Sequence, residues 1–378
     1  MRVDLQKVFE KLKDNRIEFF TGVPDSLLKE LCSFIETNVD KDKHIVAANE
    51  GNAIGIATGR YLATSTPACV YMQNSGFGNA INPLLSLADP SVFSIPMLIF
   101  VGWRGEPSTT DEVQHQKQGG IMGDLLQALQ IPFFHPSSDS NFLDTLQLAI
   151  NRMMKELRPV VILISKETFD RKIVLAAKSN NFPMSRARAL ELIIDNLSEE
   201  CFIVSTTGFI SRELFNIRSN FSGDTRNDFM MVGSMGHASS IAFGLAIANP
   251  QKKIVCLDGD GAALMHLGAL PVIAQSKSIN LLHVLINNGV HGSVGNQSTV
   301  AQEIDLCGIA LSSGYLVASK IMTEEDLVNA LKRLSNLGGI KFLEILVNTE
   351  YDENLKRPTV SPKENKNFFM EAFHSGSN

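Results

Sequence analysis

Short apolar, β-rich runs alternate with helical patterns along almost the whole chain, and the alternation stops only once. Such a rhythm admits few architectures, because each helix must carry the chain back before the next strand can lie parallel to the last. Strands are predicted at 45–47, 68–72, 97–101 and 160–164, with helical stretches at 51–62, 120–129 and 141–154. The polar stretch 166–188, with Asn180-Asn181 and Pro183, holds no period and reads as a connection. Beyond it the rhythm resumes, with a helix at 186–196 and strands at 202–205, 229–232, 254–257, 281–286 and 342–347. The expected fold is α/β, with two tandem doubly wound parallel-sheet domains and no middle domain. Their expected extents are 1–170 and 186–355, joined by a linker at 171–185. A C-terminal arm, 356–378, should dock by its apolar patch 368–373.

A chain of 378 residues, 44% hydrophobic and 20% charged, has enough apolar material for two cores without disulfides. Cys32, Cys69, Cys201, Cys256 and Cys307 are scattered and form no C-x-x-C pattern, which suits free thiols in a reducing cytoplasm. A net charge of -6 argues against a general nucleic-acid or anionic-membrane binder. The apolar stretch 95–103 is too short to span a bilayer, and 1–13 lacks the apolar core of a signal peptide. A cytoplasmic location is expected.

Polar clusters punctuate the ends of two strands in the second half. One is Asp258-Gly259-Asp260-Gly261-Ala262, leading into a helix expected to start near Ala262; the other is Asn287-Asn288-Gly289. In open α/β sheets ligands bind outside the carboxyl ends of the strands. The residue types suit a magnesium diphosphate, since Mg²⁺ takes hard oxygens and one or two carboxylates. Asp260, the Asn288 amide oxygen and the Val290 carbonyl are the expected metal ligands. Gly259 and Gly261 allow close backbone approach, and the helix start favours phosphate. Neither Gly76-Phe77-Gly78 nor Gly259-Asp260-Gly261 completes a dinucleotide fingerprint.

Gly-Asp-Gly followed by Asn-Asn resembles the signature of the thiamine-diphosphate enzymes. That resemblance implies thiamine diphosphate and Mg²⁺ as cofactors. It implies further that Gly233-Ser234-Met235-Gly236-His237 passes behind the cofactor. Met235 would wedge between its rings, and the Gly233 carbonyl would accept from its amine; Ser234 and His237 flank them. In the first half, Ile45-Val46-Ala47-Ala48-Asn49-Glu50-Gly51 places Glu50 where an apolar strand turns into a small-residue helix. By resemblance Glu50 is the carboxyl that activates the aminopyrimidine, and its apolar setting should raise its pKa. With these two motifs in different domains, the family implies active sites at subunit interfaces of a homo-oligomer.

Within the family, a two-domain chain with a short linker is similar to the branch that decarboxylates 3-phosphonopyruvate and 3-sulfopyruvate. The similarity runs through 20–28, 73–79, 102–106, 111–115, 287–291, 357–358 and 361–366; Val113 and Gly292 depart from the commonest residues. It implies a 2-oxo acid carboxy-lyase acting on a small-molecule substrate, 3-phosphonopyruvate first. Sulfopyruvate decarboxylation or an acetolactate-type carboligation are the alternatives. A substrate with two anionic groups needs donors, and Asn74, Ser75, Asn79, Arg104, His115 and Lys117 are the candidates. Asp25, His115 and His291 are the candidates for proton transfer.

Overall fold

The computed structural model describes residues 2–136, 142–170, 180–221, 223–276, 279–334, 337–352 and 355–375. Contacts divide the chain into two compact units, Met1–Ala176 with Ser293–Gln297, and Ala177–Gly292 with Ser298–Asn378.

Unit one holds β1 (Phe20–Gly22), β2 (His44–Val46), β3 (Ala68–Gln73), β4 (Met97–Gly102), β5 (Phe133–Phe134) and β6 (Pro159–Ile164). They form one parallel sheet in the order β2-β1-β3-β4-β6-β5. Unit two holds β7 (Phe202–Ser205), β8 (Asp228–Met230), β9 (Ile254–Gly259), β10 (Leu281–Asn287), β11 (Val317–Ile321) and β12 (Ile340–Leu346). Its parallel order, β8-β7-β9-β10-β12-β11, repeats that of unit one strand for strand. The central strands are buried nearly end to end, as Met-Leu-Ile-Phe-Val-Gly of β4 shows, because helices cover both faces. Edge strands β2 and β11 are more exposed.

Several expectations shift. The stretch predicted as helical at 120–129 holds the helix Met122–Ala128, and a separate, unpredicted helix, Val113–Gly120, precedes it. The helix after β9 begins at Asp260, not near Ala262, so the acidic side chain belongs to its first turn. Helix Phe142–Glu156 stands where 141–154 was predicted, residue 141 lying outside the described residues. Of the expected linker, 171–179 lies outside the described residues; from Asn180 onward it is tied to unit two. The Asn180 amide donates to the carbonyls of Asn288 (3.1 Å) and Val347 (3.0 Å).

The docking segment of the expected arm is the helix Pro362–His374, opened by a Ser361/Glu364 capping box. Phe369 and Phe373 pack edge-on against Phe202. Asn365 covers the outer edge of β8: its amide donates to the Asp228 carbonyl (2.7 Å) and its oxygen accepts from the Met230 N–H (3.0 Å). Among the described residues no helix is long and apolar enough to cross a membrane.

Candidate active site

In both units the polar residues gather where strands end and helices begin. In unit one, β2 runs into the helix Glu50–Thr64, capped by Asn49, whose side chain accepts from the Asn52 N–H (3.0 Å). Glu50 is its first residue and is 3% exposed. Burial raises its pKa, against the opposing hydrogen bond from Asn79. The Asn79 amide donates to Oε2 at 2.8 Å. Gly76, just past β3, makes room for this carboxyl, since a Cβ there would lie 1.8 Å from Glu50 Oε1.

A second buried acid follows β1. Asp25 is 1% exposed, and burial pushes its pKa up to about 7. Its Oδ2 accepts from the Leu27 N–H (3.0 Å), while Oδ1 is buried without a hydrogen-bond partner. A Cβ on Gly102, the last residue of β4, would fall 2.2 Å from Oδ2. Each acid of unit one therefore occupies space left by a glycine at a neighbouring strand end.

The other unit-one candidates are more committed than their types suggest. Arg104 forms a bidentate pair with Asp111 (2.8 and 2.5 Å) and donates to Ser26 Oγ (3.0 Å). Asn74 spends its carboxamide on the Arg104 backbone, donating to the carbonyl (2.8 Å) and accepting from the N–H (3.0 Å). Ser75 Oγ accepts from the Gln73 amide. These side chains hold the β4 loop in place, a role their sequence positions did not disclose. His115 is half-buried on helix Val113–Gly120, and Lys117 is exposed on the same helix.

In unit two, Gly259 ends β9 and Asp260 opens the short helix Asp260–Met265. Asp260 is 4% exposed, and burial pushes its pKa up to about 6. Backbone N–H groups of Gly261 and Gly289 oppose that shift, as does the Thr299 hydroxyl, which donates to Oδ2 at 2.5 Å. Asn288 is nearly buried; its Oδ1 accepts from the Val290 N–H (3.2 Å), and the Val290 carbonyl accepts from the Gly292 N–H (3.0 Å). Both oxygens keep a further lone pair.

Behind this pair, Gly261 is the meeting point of two predicted residues. A Cβ on it would lie 2.6 Å from the His291 ring and 3.4 Å from Met235 Cε. Burial pushes His291 down to about 4, so the imidazole is neutral near pH 7. The loop Gly233-Ser234-Met235 leaves β8 through Ser234 at φ 54°, a left-handed conformation. His237 stands at the N-terminal boundary of the next helix, without a capping side-chain bond, and tilts against His266, with ring centroids 4.5 Å apart. Ala262 is buried in the Asp260 helix.

Sequence reasoning missed Thr299 and Thr206. Thr206 follows β7, is 3% exposed, and its hydroxyl lacks a hydrogen-bond partner. Its methyl would touch a Cβ on Gly259 at 3.9 Å. The strand-end rule that found Asp260 applies equally to Thr206-Thr207-Gly208. Thr299 carried no local signal.

The donors fit a magnesium diphosphate and its aminopyrimidine. Asp260 is a buried carboxylate without an ion-pair partner among the described residues, and Thr206 offers an unused hydroxyl beside Gly259. The cradle beside Glu50 exists only because residue 76 has no side chain.

Comparison with known proteins bears on both halves. Residues 5–127 match the thiamine pyrophosphate enzyme N-terminal TPP binding domain, and residues 215–345 match the C-terminal TPP binding domain. A phosphonopyruvate decarboxylase of Streptomyces viridochromogenes is 32% identical over 359 residues, covering 91% of this chain and 88% of that protein. A sulfopyruvate decarboxylase of Methanosarcina acetivorans is 27% identical over 389 residues, covering 97% and 96%. The sulfopyruvate decarboxylase subunit beta of Methanocaldococcus jannaschii is 36% identical over 190 residues, covering 50% of this chain and 96% of the subunit. With both cofactor-binding halves matched in order and nearly its full length aligned to one relative, the chain belongs to the thiamine pyrophosphate enzyme family.

Proposed function

We propose that the protein decarboxylates 3-phosphonopyruvate to phosphonoacetaldehyde and carbon dioxide, as a homo-oligomer in the cytoplasm with active sites at subunit interfaces. The 32% identity to the Streptomyces phosphonopyruvate decarboxylase across 91% of the chain carries the substrate assignment. Bound thiamine diphosphate supplies the nucleophilic carbon and the electron sink for loss of carbon dioxide.

The chain's residues bind, orient and move protons. Asp260, Asn288 and the Val290 carbonyl would hold Mg²⁺, and Thr299 fixes the Asp260 carboxylate through its 2.5 Å hydrogen bond. Thr206 and the backbone at Gly259 and Gly261 would receive the diphosphate. Met235 offers apolar contact beside Gly261. Glu50, its pKa raised by burial and its carboxyl oriented by Asn79, would share a proton with a ring nitrogen of the aminopyrimidine.

Asp25 is suited to give or take a proton near pH 7, because its pKa stands at about 7 and Oδ1 is unengaged. His291, neutral at that pH, can donate or accept one hydrogen bond but adds no charge for an anion. Arg104 spends three of its five N–H donors on Asp111 and Ser26, which leaves two for a phosphonate.

The test incubates the protein with Mg²⁺, thiamine diphosphate and 3-phosphonopyruvate and measures carbon dioxide and phosphonoacetaldehyde. Cofactor-dependent release of both is the expected result. The Methanosarcina relative favours a second reading, the same chemistry on 3-sulfopyruvate. A higher kcat/KM for 3-sulfopyruvate in side-by-side turnover would replace the first reading by the second.

A further inference from the structure

A second group of chemistry-bearing side chains lies in unit two, on the apolar side of the strands that carry the cofactor motif. Cys256 and Asp258 alternate along β9 and so share one face of the sheet. His283 stands opposite Cys256 in the β9–β10 register. The three side chains are 0–1% exposed, yet their ligand atoms, Cys256 Sγ, an Asp258 carboxylate oxygen and a His283 ring nitrogen, lie within 4.8 Å of one another. Asp258 Oδ2 and His283 Nε2 face each other across 3.4 Å, an ion pair only when the imidazole is protonated, and neither atom makes a hydrogen bond. A buried polar atom without a partner is costly, and here two are turned towards one point.

The geometry points to a transition-metal site of the Zn²⁺ type formed by Cys256, Asp258 and His283, separate from the Mg²⁺ ligands Asp260 and Asn288. Bonds of the usual length to a tetrahedral zinc ion set nitrogen and oxygen ligands about 3.4 Å apart, which is the spacing of these two atoms. A thiolate, a carboxylate and a divalent ion sum to zero charge beside a neutral imidazole, so the loaded site suits an apolar interior. The remaining ring nitrogen, Nδ1, faces the Tyr315 hydroxyl at 3.4 Å, a partner that would orient the imidazole from behind. Thiolate and imidazole select Zn²⁺ or Co²⁺ over Mg²⁺, which prefers oxygen. The two sites are thus chemically distinct although Asp258 and Asp260 are separated only by Gly259. Binding would release the thiol proton of Cys256 to solvent.

The experiment uses the full chain, stripped of metals, then saturated with Mg²⁺ and thiamine diphosphate and titrated with Co²⁺ as the probe. One Co²⁺ per chain is expected, with a thiolate-to-cobalt charge-transfer band that Zn²⁺ displaces one for one. Cys256→Ser should abolish the band and weaken binding at least tenfold; Cys307→Ser should leave both unchanged. Anomalous diffraction from wild-type crystals grown with Zn²⁺ locates the ion without any variant, and a peak between Cys256 and His283 is expected. A wild-type titration without the band, a band that survives in folded Cys256→Ser, or an anomalous peak elsewhere would overturn the assignment.

Discussion

The two units have the same strand order, and each places a buried carboxyl at the start of a helix, yet the two carboxyls are prepared for opposite ends. Glu50 follows the edge strand β2 and Asp260 follows the central strand β9. Burial raises both pKa values. Around Glu50 stand the Asn79 amide, its own backbone N–H and a glycine cradle, fewer donors to the anion than surround Asp260. Around Asp260 stand a hydroxyl and backbone N–H groups that favour the anion, and a cation would complete the change. A shared architecture fixes where an acid sits; its immediate neighbours decide whether it keeps its proton.

The sharpest test of this contrast is Asp260→Asn, which should abolish turnover. It should also weaken Mg²⁺-dependent cofactor binding by roughly two to three orders of magnitude, the usual scale for removing one partner of a buried charge pair. Calorimetric titration with thiamine diphosphate reads this directly; near-normal binding would remove Asp260 from the metal. Glu50→Gln should behave differently. Its kcat should fall by about 10²–10⁴ while cofactor affinity changes only a few-fold, because the carboxyl acts on a proton and not on the diphosphate. Equal losses in binding and in kcat would erase the distinction between the units.

Gly76→Ala tests the cradle. The added methyl collides with Glu50 Oε1, so kcat should drop about tenfold or more while thermal stability falls by about 1–3 kcal/mol. Asn79→Ala is milder. Removing a hydrogen bond that lowers the Glu50 pKa should raise that pKa further and move the acidic limb of the pH–rate profile upward, at a cost of about 1 kcal/mol. An unmoved profile would show that Asn79 does not tune the acid.

The smallest effect is on stability. The folded Asp260 pKa, about 6, stands above the ordinary aspartate value of 3.8, so the folded state without metal favours the protonated form. That contribution is complete below about pH 4 and is lost as pH rises through 6, on the order of 3 kcal/mol at most. Urea unfolding of the metal-free protein at both ends of this window should show wild type losing stability relative to Asp260→Asn. Added Mg²⁺ and cofactor should remove the difference.

Much of this arrangement is legible in the sequence, and what is not has a physical reason. The long central strands announce themselves as apolar runs because both their faces are covered, and the polar clusters at their carboxyl ends mark the site. The strands β1, β5 and β11 are not legible: Phe-Thr-Gly and Phe-Phe display no period, and Val-Ala-Ser-Lys-Ile of the half-exposed edge β11 is no apolar run. Side-chain commitments were the harder part. Asn79 reads as a substrate ligand until the fold brings it to Glu50, 29 residues earlier. Arg104 reads as an anion receptor until Asp111 is seen to hold it. Such partners are fixed by topology, which local pattern does not encode.

The Asn365 clasp on β8 has a consequence in time. Asn365 follows Met230 by 135 residues, so a ribosome adding about 5–20 residues per second leaves that strand edge uncovered for roughly 7–27 seconds. During that interval the first sheet can close while the second presents an open template to any neighbouring nascent chain. A pause in translation before residue 365 would therefore raise misassembly of the second half and spare the first.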